Sequence, residues 1–144
     1  MLKIAVALDF APATEEILEH AQKLARAAQS HLWLLHVEAP DPDFVGYEVG
    51  PQTVRDSVAT EMHQHHSRLQ GLARQCREHG LDTTALLLQG PTVDALAEKA
   101  EELAVDFLVV GSHGHGLKQL LLGSVSDGLL RKAPCPVVVV RCRD

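Results

Sequence analysis

Aromatic side chains, cysteines and basic charge are all scarce in this chain of 144 residues. Phe, Trp and Tyr together make up 3% of it, and the three cysteines, Cys76, Cys135 and Cys142, stand at unrelated spacings. An odd number of cysteines without a repeating pattern argues against a disulfide framework and is typical of a reducing compartment, so we expect a cytoplasmic protein. Cys135 lies between two prolines, either as a reactive thiol or as a small residue in a tight connection.

Excess basic charge and long apolar runs are also missing, which argues against two kinds of partner. The formal net charge is −6, whereas sequence-independent binding to nucleic acid needs a dense basic surface. No apolar run approaches the roughly 20 residues that span a bilayer. The first run, Ile4–Leu8, is also too short for a signal peptide. We therefore expect neither a nucleic-acid partner nor a membrane partner.

Five short apolar runs alternate with segments of helical periodicity, and no linker divides the chain. At this length one domain can bury a core without disulfide or metal staples, so residues 1–144 are expected to form a single domain. The runs are nearly continuous, as in strands that are covered on both faces. They are Leu2–Leu8, Leu32–Val37, Thr84–Leu88, Phe107–Val110 and Val137–Val140. This order predicts an α/β fold, a three-layer doubly wound sandwich around a parallel sheet.

Four helices are predicted between the runs from apolar residues at helical spacing. They cover Ile17–Ala28, a long stripe over Val54–Cys76 that Gly80 stops, Val93–Leu103, and Ser124–Lys132. The interval from Glu38 to Gln52 is irregular and contains Phe44 and Tyr47. It is either a lid over a ligand or a surface loop that packs its aromatic rings against the long helix.

Glycines and serines follow the fourth apolar run in a pattern that suits phosphate binding. Gly111-Ser-His-Gly114 comes directly after Phe107–Val110, and Gly123-Ser124-Val-Ser126 opens the last helix. Glycine lets backbone N–H groups approach a ligand closely, and a helix start adds unpaired donors and hydroxyls. The alternative is that these glycines only make a tight turn between strand and helix.

Asp9 follows the first apolar run and is the candidate polar group on the opposite side of this site. In a doubly wound sheet the ligand lies where the strand order reverses, beside the first strand. If the fourth strand is its neighbour there, Asp9 lies across from Gly111 and Gly114. Its carboxylate can accept hydrogen bonds from a base or a ribose. Alternatively, Asp9 or Thr14 caps the first helix.

Taken together, these segments resemble the universal stress protein family over the whole chain. The resemblance rests on Ile4–Asp9, Leu34–Val37, Ala104–Gly114 and Leu120–Val140. It implies a Rossmann-like, five-stranded parallel sheet in the order 3-2-1-4-5 and a role in stress response. It also implies a homodimer that forms by pairing of the fifth strands, here Val137–Val140, whose bare edge would otherwise be an aggregation hazard.

The ATP-binding branch of that family carries the pattern Gly-x2-Gly-x9-Gly-Ser/Thr. This chain matches it except that eight residues, His115–Leu122, separate Gly114 from Gly123. The resemblance implies ATP as the ligand, with or without Mg²⁺, or else AMP or another adenine nucleotide. In this family pattern Asp9 and Val37 would contact the adenine end of the ligand. The glycines and serines would contact its ribose and phosphates. The implied nucleotide-binding residues are Asp9, Val37, Gly111, Gly114, Gly123, Ser124, Val125 and Ser126.

Nine histidines raise the question of a metal site. His63 and His66 share one helix face near Glu61, but no second His or Cys pair completes a ligand set, so no metal is expected. His65 lies on the apolar stripe and is expected to be a hydrogen-bonded, partly buried residue. His113 and His115 lie in the glycine-rich loop, where they either contact phosphate or brace the loop.

No catalytic residue is predicted. Phosphoryl transfer needs a positioned Mg²⁺, a cationic clamp and an oriented nucleophile, and Lys118 is the only cation in the glycine-rich loop. The favoured interpretation is a regulatory protein that binds a nucleotide. Two alternatives stay open, an interaction dimer that does not hold ATP and a slow ATP hydrolase.

Overall fold

The computed structural model describes residues 1–38, 52–112 and 123–142, so the expected lid between Glu38 and Gln52 lies almost wholly outside the described residues. The five strands are β1 (Lys3–Ala7), β2 (His31–Glu38), β3 (Thr83–Gln89), β4 (Phe107–Ser112) and β5 (Val137–Arg141). The four helices are α1 (Thr14–Ala27), α2 (Gln52–Glu78), α3 (Thr92–Leu103) and α4 (Ser124–Lys132). None of these helices is long and apolar enough to cross a membrane.

The strands form one parallel sheet in the order β3-β2-β1-β4-β5, which confirms the predicted topology. The chain winds outward from β1 through β2 to β3 and then returns to the other side of β1 as β4. Val6 of β1 stands beside Leu34 of β2 and Val109 of β4. The carboxyl ends of these three strands therefore meet at one edge of the sheet, where the winding direction reverses.

Helices cover both faces of the sheet, which accounts for the continuous apolar runs. On one face Ile17 of α1 and Leu69 of α2 pack against Leu34. On the other face Leu96 of α3 and Leu129 of α4 pack against Leu35. Each of these side chains is at most 2% exposed, and burying one stabilises the fold by about 1.5–3 kcal/mol. Alternate residues of β2 thus belong to two separate cores, as in a three-layer sandwich.

The helix α2 ends at Glu78, just before Gly80, as the sequence predicted. Gly80 has a φ of +85°, in the left-handed region that glycine adopts without strain. The N–H of Leu81 then reaches back to donate to the carbonyl of Cys76 at 3.1 Å. This closure satisfies a carbonyl of the last helical turn and directs the chain into β3.

Neither Asp9 nor Thr14 caps α1, in contrast to the alternative considered from the sequence. The residue before the helix is Ala13, and no side chain caps it. Thr14 is the first helical residue, and its hydroxyl is buried with no hydrogen-bond partner among the described residues. Asp9 instead accepts a hydrogen bond from the N–H of Ala11 at 3.0 Å, before the helix begins. Its carboxylate therefore shapes the connection between β1 and α1 and does not cap α1.

His31 gives the fold a dependence on pH. Its ring lies 4.0 Å from the Trp33 ring, and its Nε2 lies 2.8 Å from the hydroxyl of Thr84. Burial lowers the pKa of His31, and nearby Arg77 also lowers it, while Asp82 opposes the shift. The unfolded chain therefore takes up this proton at a higher pH than the folded chain does, so acidification below about pH 6.5 favours unfolding.

We therefore expect the free energy of unfolding to fall between about pH 7.5 and about pH 5.5 by less in a His31→Gln variant than in the wild type. Urea titrations at both pH values measure the two differences. Equal losses in both proteins would mean that His31 does not contribute.

A candidate binding cleft

A cleft of about 800 Å³ opens at the carboxyl edge of β1, β2 and β4, where the winding direction reverses. Small-molecule sites in proteins have volumes of roughly 300–1,000 Å³. The cleft is lined by the connection between β1 and α1, the ends of β2 and β4, the starts of α3 and α4, and Cys142. The fold therefore places a cleft of ligand size at the position where doubly wound sheets bind their ligands.

The predicted nucleotide-binding residues that the structure describes all line this cleft. They come from four separate segments of the chain and are Asp9, Val37, Gly111, Gly123, Ser124, Val125 and Ser126. Gly114, His113 and His115 lie outside the described residues. The sequence pattern thus identified residues that the fold brings to one place.

One side of the cleft is apolar. It is formed by Leu35 and Val37 of β2, Val110 of β4 and Leu96 of α3. Leu35 and Leu96 are almost fully buried, so their positions are held by the core beneath the cleft. Val110 is buried as well, so Val37, which is partly exposed, is the residue of this side that a flat apolar ring can contact. The sequence analysis did not single out Leu35, Leu96 or Val110, since apolar core residues carry no separate signal of a cleft.

The first turn of α4 forms the polar side of the cleft. Its N-cap residue is Gly123, which has no side chain to cap the helix, and Ser124 to Ser126 follow as the first turn. N–H groups in a first helical turn have no carbonyl partner within the helix, and the helix dipole adds partial positive charge there. Such a turn binds phosphate and carboxylate groups readily.

The two serines of this turn have different environments. Ser124 is exposed at the cleft. Ser126 is 2% exposed, and its hydroxyl donates to the carbonyl of Gly111 at 2.7 Å. The hydroxyl proton of Ser126, which we expected to serve a phosphate, therefore ties α4 to β4 and holds the first turn in position.

Gly111 has a role in packing, whereas the alternative considered from the sequence was a tight turn between strand and helix. It lies within β4, paired with Val140 of β5, and not in a turn. A Cβ atom built at Gly111 would lie 2.3 Å from Cδ1 of Ile17 and 3.1 Å from Sγ of Cys142. The absence of a side chain therefore lets α1 pack closely against the end of β4, next to the cleft.

The charged side chains in the described part of the cleft are acidic. Asp9 and Glu16 line it, and no Lys or Arg of the described residues does. Among the residues that the structure describes, the N–H groups of α4 are therefore the donors that suit an anionic ligand.

Cys76 and Cys135 are free cysteines. Burial raises the pKa of the Cys135 thiol, and the negative charge of Asp106 raises it further. Burial likewise raises the pKa of Cys76. A raised pKa keeps a thiol protonated and weakly nucleophilic at neutral pH. The structure thus favours the interpretation of Cys135 as a small residue in a tight connection.

This chain is similar to a family sequence model, to known proteins and to solved structures. The sequence model of the universal stress protein family matches residues 1–141. Universal stress protein YxiE of Bacillus subtilis is 30% identical over 145 residues, which cover 96% of this chain and 98% of that protein. The solved structure of protein MJ0577 superposes with a TM-score of 0.80 at 24% identity, covering 99% of this chain and 97% of the other.

Two further solved structures carry bound nucleotides. A universal stress protein in complex with cAMP has a TM-score of 0.64 at 24% identity, covering 96% of this chain and 95% of that one. A universal stress protein family protein from Arabidopsis thaliana with AMP bound has a TM-score of 0.71 at 21% identity, covering 99% and 93%. At these identities the likeness establishes a shared fold.

Proposed function

Since this chain belongs to the universal stress protein family, we propose that it is a stress-response regulatory protein whose cleft binds an adenine nucleotide. The observation that carries the proposal is the pairing of two surfaces in one cleft. The apolar surface beside Val37 and Leu96 faces the same space as the first turn of α4. A nucleotide has the matching parts, a flat base and an anionic phosphate. The AMP and cAMP complexes of relatives with this fold support the choice of adenine.

The base is proposed to lie at the end of β2 and the phosphates at the start of α4. At the base end, Asp9 offers carboxylate oxygens that can accept hydrogen bonds from an amino group or a ribose hydroxyl. At the phosphate end, the N–H groups of Ser124 and Val125 and the hydroxyl of Ser124 can donate. Ser126 acts through its hydrogen bond to Gly111, which fixes α4 against β4.

ATP together with Mg²⁺ is the proposed ligand, with AMP as the simpler alternative. A triphosphate carries several negative charges. A Mg²⁺ ion on the phosphates would neutralise part of this charge, since it prefers phosphate and water oxygens. AMP needs less compensation because it carries a single phosphate. No catalytic role is assigned to any cleft residue.

Calorimetric titration of nucleotide-free protein with adenosine, AMP and Mg-ATP tests the proposal. We expect one site per chain and at least about tenfold tighter binding of AMP than of adenosine, because hydrogen bonds to a charged group are worth roughly 1.5–3 kcal/mol each. GMP is the matched control, and its O6 acceptor should be repelled by Asp9. Absence of heat with every adenine compound would favour the alternative of an interaction dimer that does not hold ATP.

The homodimer is proposed to form through β5. Within the described residues β5 has a strand neighbour on one side only, which leaves the N–H and C=O groups of its outer edge unpaired. Its four valines, Val137–Val140, pack to the two faces of the sheet, so the outer edge itself is backbone. Pairing with the same strand of a second copy satisfies these groups.

Sedimentation equilibrium should then give twice the 15.6 kDa of one chain. A mass of one chain at high concentration would contradict the dimer.

We propose a cytoplasmic location, because an odd number of cysteines at unrelated spacings suits a reducing compartment.

A further inference from the structure

Three side chains with metal-binding atoms converge where β2 ends beside α2. His36 and Glu38 stand two residues apart on β2 and so project from the same face of the sheet, towards α1 and α2. His65 reaches the same place from α2. One ligand atom from each of the three side chains lies within 4.8 Å of the other two.

A hydrogen bond from Nδ1 of His36 orients the ring so that Nε2 faces the cluster. Nδ1 of His36 lies 2.7 Å from the carbonyl oxygen of Leu8. A carbonyl oxygen only accepts, so Nδ1 donates to it, and Nε2 is the nitrogen left to face Glu38, where it can bind a metal ion in place of a proton. Nε2 faces Oε1 of Glu38 at 3.0 Å. Metal-bound histidines are typically oriented in this way, by donating the second ring N–H to a carbonyl or carboxylate.

His65 completes the set by directing Nδ1 to the same carboxylate oxygen of Glu38. Two imidazole nitrogens and one carboxylate oxygen therefore point to one small volume. Around a tetrahedral Zn²⁺ ion with bonds of about 2.0–2.1 Å, ligand atoms lie about 3.4 Å apart. The separations in the cluster are within reach of that arrangement by small changes in side-chain torsions.

The surroundings shield the cluster from water. The side chains of His36, Glu38 and His65 are 8%, 16% and 28% exposed. Phe10 packs against the two histidines, with its ring centre 4.4 Å from that of His36 and 5.2 Å from that of His65. Phe10 has a φ of +60°, a conformation that costs a non-glycine residue energy and that is concentrated at functional sites. The strained backbone thus places an aromatic ring beside two of the three candidate ligands.

We propose that His36, Glu38 and His65 bind a divalent transition-metal ion of the Zn²⁺ class, with further coordination positions open. Two nitrogens and one oxygen suit Zn²⁺, Co²⁺ or Ni²⁺, whereas Mg²⁺ and Ca²⁺ prefer oxygen ligands throughout. This set is separate from the pair His63 and His66, whose side chains are exposed on α2. His36 also lines the nucleotide cleft, although Val37, between the two β2 ligands, points to the opposite face. The metal site does not rest on the proposed function, and it is tested without nucleotide.

The neighbouring histidines of α2 supply a matched test. Chelator-treated protein without nucleotide is titrated with Co²⁺, followed by its d–d absorption, and with Zn²⁺ by calorimetry. We expect one ion per chain in the wild type and in a His66→Ala variant. We expect affinity lowered by more than tenfold in His65→Ala and in Glu38→Gln, because loss of even an outer partner of a metal ligand costs roughly 10–100-fold.

Thermal unfolding of the metal-free variants shows that each is folded before it is titrated. Glu38→Gln keeps the size of the side chain, so it tests the site even if His65→Ala disturbs α2. No binding of either ion by the wild type would overturn the proposal. So would wild-type affinity in His65→Ala and Glu38→Gln, or an equal loss in His66→Ala.

Discussion

A Gly123→Val variant is expected to bind adenine nucleotide about 100-fold more weakly than the wild type, a loss of about 2.8 kcal/mol. Gly123 is the N-cap residue of α4 and lines the cleft, so a branched side chain there would occupy the space through which a phosphate reaches the first-turn N–H groups. Each hydrogen bond to a charged phosphate contributes roughly 1.5–3 kcal/mol, so blocking the turn removes a large part of the affinity.

The backbone at Gly123 makes this variant a fair test of binding. Its φ is −59° and its ψ is 161°, an extended conformation that valine adopts without strain. Valine is a poorer N-cap residue than glycine, which costs α4 roughly 1 kcal/mol. Urea unfolding should therefore show a folded protein of slightly lower stability. Gly123→Ala is the control, with a smaller side chain and a smaller expected loss of affinity. Wild-type affinity in Gly123→Val would show that the phosphate does not bind at α4.

A Gly111→Ala variant is expected to be less stable than the wild type by about 1–3 kcal/mol, the usual cost of overpacking a core. The added Cβ would lie 2.3 Å from Cδ1 of Ile17, and Ile17 is 1% exposed, so its side chain would have to shift within the packed core. Gly71→Ala is the matched control, because a Cβ at Gly71 of α2 meets nothing within 4 Å. There alanine should stabilise the helix by about 0.5–1 kcal/mol. The same substitution should thus lower the free energy of unfolding at Gly111 and raise it at Gly71.

A double-mutant cycle with Ile17→Val identifies the cause of the Gly111 effect. Valine lacks the Cδ1 atom, so in its presence Gly111→Ala should cost less than it does in the wild type. The free energies of unfolding of the four proteins give the coupling. Strictly additive losses would mean that the clash with Ile17 is not what makes glycine necessary in β4.

Most of the fold was predictable because each element has a local signal in the sequence. The strands carry continuous apolar runs since both faces of the sheet are buried, and Gly80 ends α2 where its left-handed conformation is needed. Asp9 and the glycines and serines of the cleft could be located from the ends of those runs, whereas Val37 followed from the family resemblance, and Leu35, Leu96 and Val110 were missed.

What the sequence did not reveal depends on contacts between distant segments. Glu38 and His65 are 27 residues apart, and no spacing rule links a strand end to a position in the middle of a long helix. The hydrogen bond from Ser126 to Gly111 spans 15 residues and depends on how α4 sits on the sheet. The close approach of Ile17 to Gly111 is likewise a matter of tertiary packing. Such contacts decide which atoms of a predicted residue remain available to a ligand.

The most direct test of the central claim is an NMR titration of the ¹⁵N-labelled protein with AMP, read out at assigned backbone amides. We expect saturable shifts of the Ser124, Val125 and Val37 amides, which lie at the two ends of the cleft. We expect little change at Thr83, which begins β3 at the opposite edge of the sheet. With adenosine, the shifts at Ser124 and Val125 should be much smaller, because the phosphate is missing. Absence of saturable shifts with AMP, or shifts that leave Ser124 and Val125 unchanged, would contradict a nucleotide site at the start of α4.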